Sequence, residues 1–117
     1  MVEVVRMVAL APLPHGPVWM AGVADLRGVP VPVVDLAGRL GRVAQAPIVD
    51  RRIVVTGDPA SPVGLIVDAV AGVAPAGPPA EPGAATPKSA LVRRVVRIGQ
   101  DMVMVLDEAA LRPGDDA

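Results

Sequence analysis

The sequence predicts a mainly β domain, and three observations carry that prediction. Valine is abundant while Phe and Tyr are absent and Trp19 is the only aromatic residue, so the core must be built from aliphatic and β-branched side chains that suit a pleated sheet. The apolar runs are short and are separated by Gly- and Pro-containing turns. The stretch Gly22 to Gly41, GVADLRGVPVPVVDLAGRLG, places one arginine on a glycine turn between two apolar strands. With 117 residues, 52% of them hydrophobic, the chain suffices for one domain with a core of its own.

Taken in order, Val2–Leu10 reads as a short helix, with Glu3 and Arg6 one helical turn apart; a strand is the alternative. Ala11–Pro17 is too rich in proline and glycine for either and forms an irregular connection into Val18-Trp19-Met20, where the first hairpin begins. That hairpin turns at Asp25-Leu26-Arg27-Gly28, runs extended through Val29–Val34 and stops at Asp35. Leu36–Leu40 is a single helical turn closed by Gly41. Arg51–Thr56 is a strand, Gly57-Asp58-Pro59 a turn, and Val63–Asp68 its partner, a run apolar enough to be buried on both sides and extended by Ala69–Val73. Residues 74–89 hold Pro75, Pro78, Pro79, Pro82 and Pro87 among Gly and Ala, the composition of a flexible loop. Leu91–Ile98 and Met102–Leu106 form a last hairpin across Gly99-Gln100-Asp101. Asp107–Leu111 adds a helical turn, and residues 113–117 form a tail expected to fray.

Several functions are excluded or disfavoured by composition. A net charge of −1 gives no long-range pull on nucleic acid, and the one basic cluster, Arg93, Arg94 and Arg97, is small. Without cysteine there is no disulfide framework, thiolate nucleophile or Cys-based metal site, which suits the cytoplasm. The longest uncharged stretch, Met7–Ala24, is broken by Pro12, Pro14 and Pro17 and cannot be an unbroken membrane helix. No targeting signal is visible at the N-terminus. His15, the only histidine, lies between prolines on a loop and reads as solvated, and no glycine-rich phosphate loop is present. Neither a metal nor a cofactor is expected.

Three aspartates stand at strand exits, in VPVVDL, GLIVDA and MVLDEA. Asp35 and Asp68 could share a proton as an acid/base dyad. Capping of the following turn explains Asp35, Asp68 and Asp107 together and is the favoured reading. Arg27 is either a surface arginine bonded to its own domain or a recognition residue. Glu3 is its natural internal partner, able to hold the guanidinium in a bidentate grip and aim it outward.

The order of elements, an E-V-x-R segment, a P-x-x-P bend, G-V-x-x-L-R-G, V-x-P-V-V-D-L, R-x-I-V-V, V-G-L-x-V-D-x-V and a final strand pair, resembles the CheW family of chemotaxis coupling domains from Glu3 to Leu111. GVADLRGVPVPVVDL and VGLIVDAV are the most specific pieces. The resemblance implies one CheW-like domain over residues 1–112, built as a pair of small five-stranded β-barrels with short helical turns. It implies a non-catalytic adaptor that couples the cytoplasmic tip of a chemoreceptor to the regulatory domain of a CheA-type histidine kinase, without inserting in the membrane. It also places Arg27 and Glu3, with Gly22, Val23 and Gly28 beside them, in the receptor-contacting region.

Two departures stand out. Family members begin with two strands ahead of the glutamate segment, for which this chain has no room. One barrel is therefore expected to be incomplete, with open strand edges that invite a homodimer or a strand-completed complex. Asp25 stands where the family commonly has asparagine, and with the proline-rich 74–89 loop it forms the second departure, one that bears on which partner is preferred. Two further readings remain at this stage: a detached CheW-like module acting as an interaction competitor, and a small β-barrel enzyme or ligand carrier using Asp35 and Asp68.

Overall fold

The computed structural model describes residues 3–14, 16–73 and 91–112. These fall into two compact units, one comprising residues 3–70 with Arg112 and the other the described residues between 71 and 111. His15, the 74–89 loop and the 113–117 tail lie outside the described residues.

The first unit is a five-stranded sheet in the order β1-β4-β5-β3-β2, formed by β1 (Glu3–Arg6), β2 (Met20–Leu26), β3 (Val29–Asp35), β4 (Arg52–Asp58) and β5 (Ser61–Val67). All neighbours are antiparallel except β3 and β5. The two prolines of β3 account for where that parallel pairing begins. Across a two-residue turn the closing pair Leu26–Val29 is hydrogen-bonded, so Pro30 and Pro32 fall at alternate positions facing away from β2, where a missing N–H costs that ladder nothing. The same prolines leave β3 without donors on its other side, and pairing with β5 starts only at Val33, opposite Gly64. Gly64 is needed there: a Cβ would come within 2.9 Å of Ile53 Cγ2 and 3.2 Å of Val33 Cγ2.

Ala24, Val33, Ile53, Val55 and Ile66 form the buried core of this unit, with Val5, Met7, Leu10, Ala21 and Leu26 packed on it. The Glu3–Arg6 segment is a strand, not the short helix that its charge spacing suggested. Val5 pairs with Ile53 and packs on the core, and two successive β-branched residues favour the extended chain once a partner strand is present. Farther along, Ala11 pairs with Val23 as an isolated antiparallel bridge. Gly22 makes that approach possible, since a Cβ on it would lie 2.5 Å from the Ala11 carbonyl oxygen.

β3 leads into α1 (Leu36–Arg39), whose C-terminus is closed by Gly41 at φ 72; Gly41 N–H donates to Gly38 O and Arg42 N–H to Ala37 O. A 3-10 turn, Ile48–Asp50, precedes β4. β4 continues through Asp58, so the turn shifts to Pro59-Ala60, with Asp58 Oδ1 accepting from Ala60 N–H. β5 ends at Val67 and is not extended by Ala69–Val73, because the Asp68 side chain turns to bind another loop.

The second unit contains β6 (Val92–Ile98) and β7 (Asp101–Leu106), an antiparallel ribbon, followed by α2 (Glu108–Leu111). The described residues thus form one five-stranded sheet and one two-stranded ribbon. No described helix is long and apolar enough to cross a membrane.

Candidate functional site

The β2–β3 hairpin carries Arg27 at its tip. Arg27 and Gly28 are the two turn residues, at φ 58 and φ 82, the left-handed pair of a type I′ turn that matches the twist of the flanking strands. Arg27 is the only non-glycine residue with positive φ among the described residues. Glycine or asparagine adopts this conformation readily, whereas arginine is strained in it. The turn is held by Asp25, whose Oδ1 accepts from Gly28 N–H at 2.9 Å. An asparagine oxygen could accept the same bond.

Arg27 Nη2 donates to Glu3 Oε1 at 3.0 Å, joining the hairpin tip to β1. The arginine side chain is 83% exposed and the glutamate 37%. The contact is single rather than the bidentate grip anticipated, so most of the guanidinium remains open to solvent. An exposed pair of this kind adds about 0–1 kcal/mol to stability, which points to positioning rather than support. Beside it lies a hollow of about 180 Å³ lined by Glu3, Leu26, Arg27, Val29, Val31, Val55, Pro59 and Pro62. Apolar walls with one charged pair at the rim suit the capture of a partner side chain.

Of the remaining expected contacts, Val23 and Gly28 line a second hollow of about 310 Å³ with Asp25 and Pro30. Gly22 lines neither hollow; its place is fixed by the close passage of Ala11. The apolar walls contributed by Val55, Pro59 and Pro62 were missed in the sequence, because they come from the β4–β5 hairpin, 28 or more residues beyond Arg27.

The three aspartates separate. Asp107 Oδ1 accepts from Ala109 and Ala110 N–H at 3.1 and 3.4 Å, at the start of α2. Asp35 precedes α1 but makes no side-chain cap bond, contrary to the capping reading; its own N–H donates to Trp19 O, which anchors the strand end instead. Asp68 caps no following turn either. Its carboxylate accepts from Gln45 and Ala46 N–H at 3.0 and 3.3 Å and faces Arg51 Nε at 3.9 Å, clasping the loop before β4. Asp35 and Asp68 both line an open cavity of about 530 Å³, yet both Asp68 oxygens are already engaged. Trp19 stacks against Arg39, whose Cζ lies 4.8 Å from the ring centre. No group of three or more metal-ligating side chains is gathered among the described residues.

These features define a β scaffold that presents one exposed cation beside a largely apolar hollow. The comparisons name the family. The CheW-like domain model matches residues 1–113, and the chain belongs to that family. It is 44% identical over 62 residues to the chemotaxis protein CheW of Rhizobium meliloti (strain 1021), an alignment covering 53% of this chain and 40% of that protein. A relative from Rhizobium etli is 43% identical over 61 residues, covering 52% of this chain and 39% of its own length. The chain thus matches about two fifths of the length of each of these relatives. The crystal structure of the scaffolding protein TtCheW from Thermoanaerobacter tengcongensis superposes with a TM-score of 0.74 at 32% identity, covering 90% of this chain and 74% of that one.

Proposed function

We propose that this chain is a non-catalytic cytoplasmic adaptor that couples the cytoplasmic tip of a chemoreceptor to the regulatory domain of a CheA-type histidine kinase, with Arg27 as the receptor anchor and Glu3 as its positioning partner. Family membership and the likeness to a CheW scaffolding protein support the adaptor role. The observation that carries the site is Arg27 itself: a strained backbone at φ 58 holds a mostly exposed guanidinium that does little for stability. Strain retained at an exposed charged tip is accounted for by a partner that reads it.

The test is a titration of the chain against a chemoreceptor signalling fragment and, separately, against a kinase regulatory domain. Arg27→Glu should weaken receptor binding by about 2 kcal/mol or more, the loss typical of an interface anchor, while leaving kinase binding and thermal unfolding near those of the parent. Unchanged receptor affinity would remove Arg27 from the interface. Failure of the parent to bind either partner would remove the adaptor reading.

A further inference from the structure

Two charges of opposite sign stand at the β2–β3 hairpin tip, and each is held by one bond. Arg27 is tied to Glu3, and Asp25 to the turn, its Oδ1 accepting from Gly28 N–H at 2.9 Å. Leu26 and Val29 close the ladder, so Gly28 N–H has no partner within it, and one acceptor oxygen is all that the turn requires of the Asp25 side chain. A neutral amide would serve equally. The negative charge of Asp25 is therefore surplus to the fold. Asp25 is exposed, forms no ion pair among the described residues, and its Oδ2 accepts no hydrogen bond from them.

The register shows where that charge lies. Leu26 pairs with Val29, and both line the hollow of about 180 Å³ that Arg27 also lines. Asp25 pairs with Pro30 one step along, so by the alternation of a strand both face the other way, where they line the hollow of about 310 Å³ with Ala11 and Val23. Asp25 is the one charged residue of that second hollow. The tip thus carries a cation beside a hollow on one face and an anion beside a hollow on the other. Every residue lining either hollow belongs to the first unit.

We infer that Asp25 is a second recognition residue, and that the segment read by this tip carries a basic side chain for Asp25 together with an acidic one for Arg27. The inference rests on the proposed receptor contact of Arg27 and adds to it the charge pattern of the partner. Charge complementarity identifies the occupant of the second hollow. A carboxylate with an unused oxygen, set beside apolar walls, suits a lysine or arginine whose aliphatic stem lies along Ala11, Val23 and Pro30 while its charge meets Oδ2. The bond to Gly28 already orders the carboxylate, which lowers the cost of fixing it on association. A partner with acidic groups alone would gain at Arg27 and lose at Asp25, so the two charges select as well as bind.

The full chain and its Asp25→Asn variant are titrated against the chemoreceptor signalling fragment. Asparagine keeps an oxygen for Gly28 N–H, so thermal unfolding should stay that of the parent while receptor affinity falls about two- to fivefold, the range of an exposed ion pair. The fall should shrink as salt is raised. Neutralising each lysine and arginine of the receptor fragment in turn should then find one whose change weakens binding to the parent and leaves binding to Asp25→Asn unaltered, the coupling expected of a direct pair. An Asp25→Asn variant that binds as tightly as the parent or more tightly, or receptor changes that all weaken both chains by the same factor, would overturn the inference. If Arg27→Glu still weakens binding in that event, the receptor contact of Arg27 stands without it. If Arg27→Glu leaves binding unchanged, that contact is removed and the two-charge pattern falls with it.

Discussion

The two hairpin tips of this chain solve one geometric problem in opposite ways. At the end of β6 the turn residues are Gly99 and Gln100, and glycine takes the left-handed position at φ 61 with open space where a Cβ would be. At the end of β2 the left-handed position is taken by Arg27, with Gly28 following. The first arrangement is relaxed, and its tip presents a glycine and an amide. The second stores strain, is braced by Asp25 and points a cation outward. The contrast sets a relaxed turn against a strained one, and the receptor contact proposed for Arg27 would account for that strain.

The largest expected effect sharpens the difference in how the two hairpins are supported. Gly22→Ala forces a Cβ to within 2.5 Å of the Ala11 carbonyl oxygen at φ 145, so β2 must give up its bridge to the preceding segment. The loss should be about 2–3 kcal/mol in urea unfolding. Gly99→Ala meets no atom and adds only left-handed strain, about 1 kcal/mol. Equal losses would show that the close approach at Gly22 is not what holds β2.

A smaller effect tests the strain directly. Arg27→Asn keeps the type I′ turn and replaces the strained residue with one that tolerates positive φ and is favoured before glycine in such turns. Relief of about 1 kcal/mol should outweigh the loss of an exposed ion pair worth a few tenths, giving a modest rise in unfolding midpoint. Receptor affinity should fall in the same variant. Stability and binding moving in opposite directions is the signature of a residue kept for contact, whereas a fall in both would make Arg27 a structural residue.

How much of this was legible in the sequence depended on how far apart the determining residues lie. The β2–β3 tip was legible because Asp25, Arg27, Gly28 and the alternating valines and prolines act within one short segment. Glu3 was misread as helical because a strand four residues long has little pattern of its own; β4, about fifty residues away, decides its conformation. A separation of 22–23 residues likewise hid the partners of Asp68, Gln45 and Ala46 on an earlier loop, while Asp35 stands at a cap position without forming the cap bond. The walls of the hollow beside Arg27 were illegible for that reason too.

The smallest effect concerns Glu3, and it decides whether the two ends of the ion pair do the same work. Glu3→Gln retains an acceptor within reach of Arg27 and removes only charge, from a group more than a third exposed, so the unfolding free energy should change by less than about 0.5 kcal/mol. If Glu3 acts by holding Arg27 in its binding direction, receptor affinity should drop about two- to tenfold, the cost of ordering one long side chain on association. In the Arg27→Asn background the same change should then have no effect on affinity, because nothing remains for Glu3 to position. If Glu3 contacts the receptor itself, its substitution should weaken binding by the same factor in both backgrounds. Additivity would therefore make the hairpin tip and β1 two separate contacts, and its absence would make them one oriented cation.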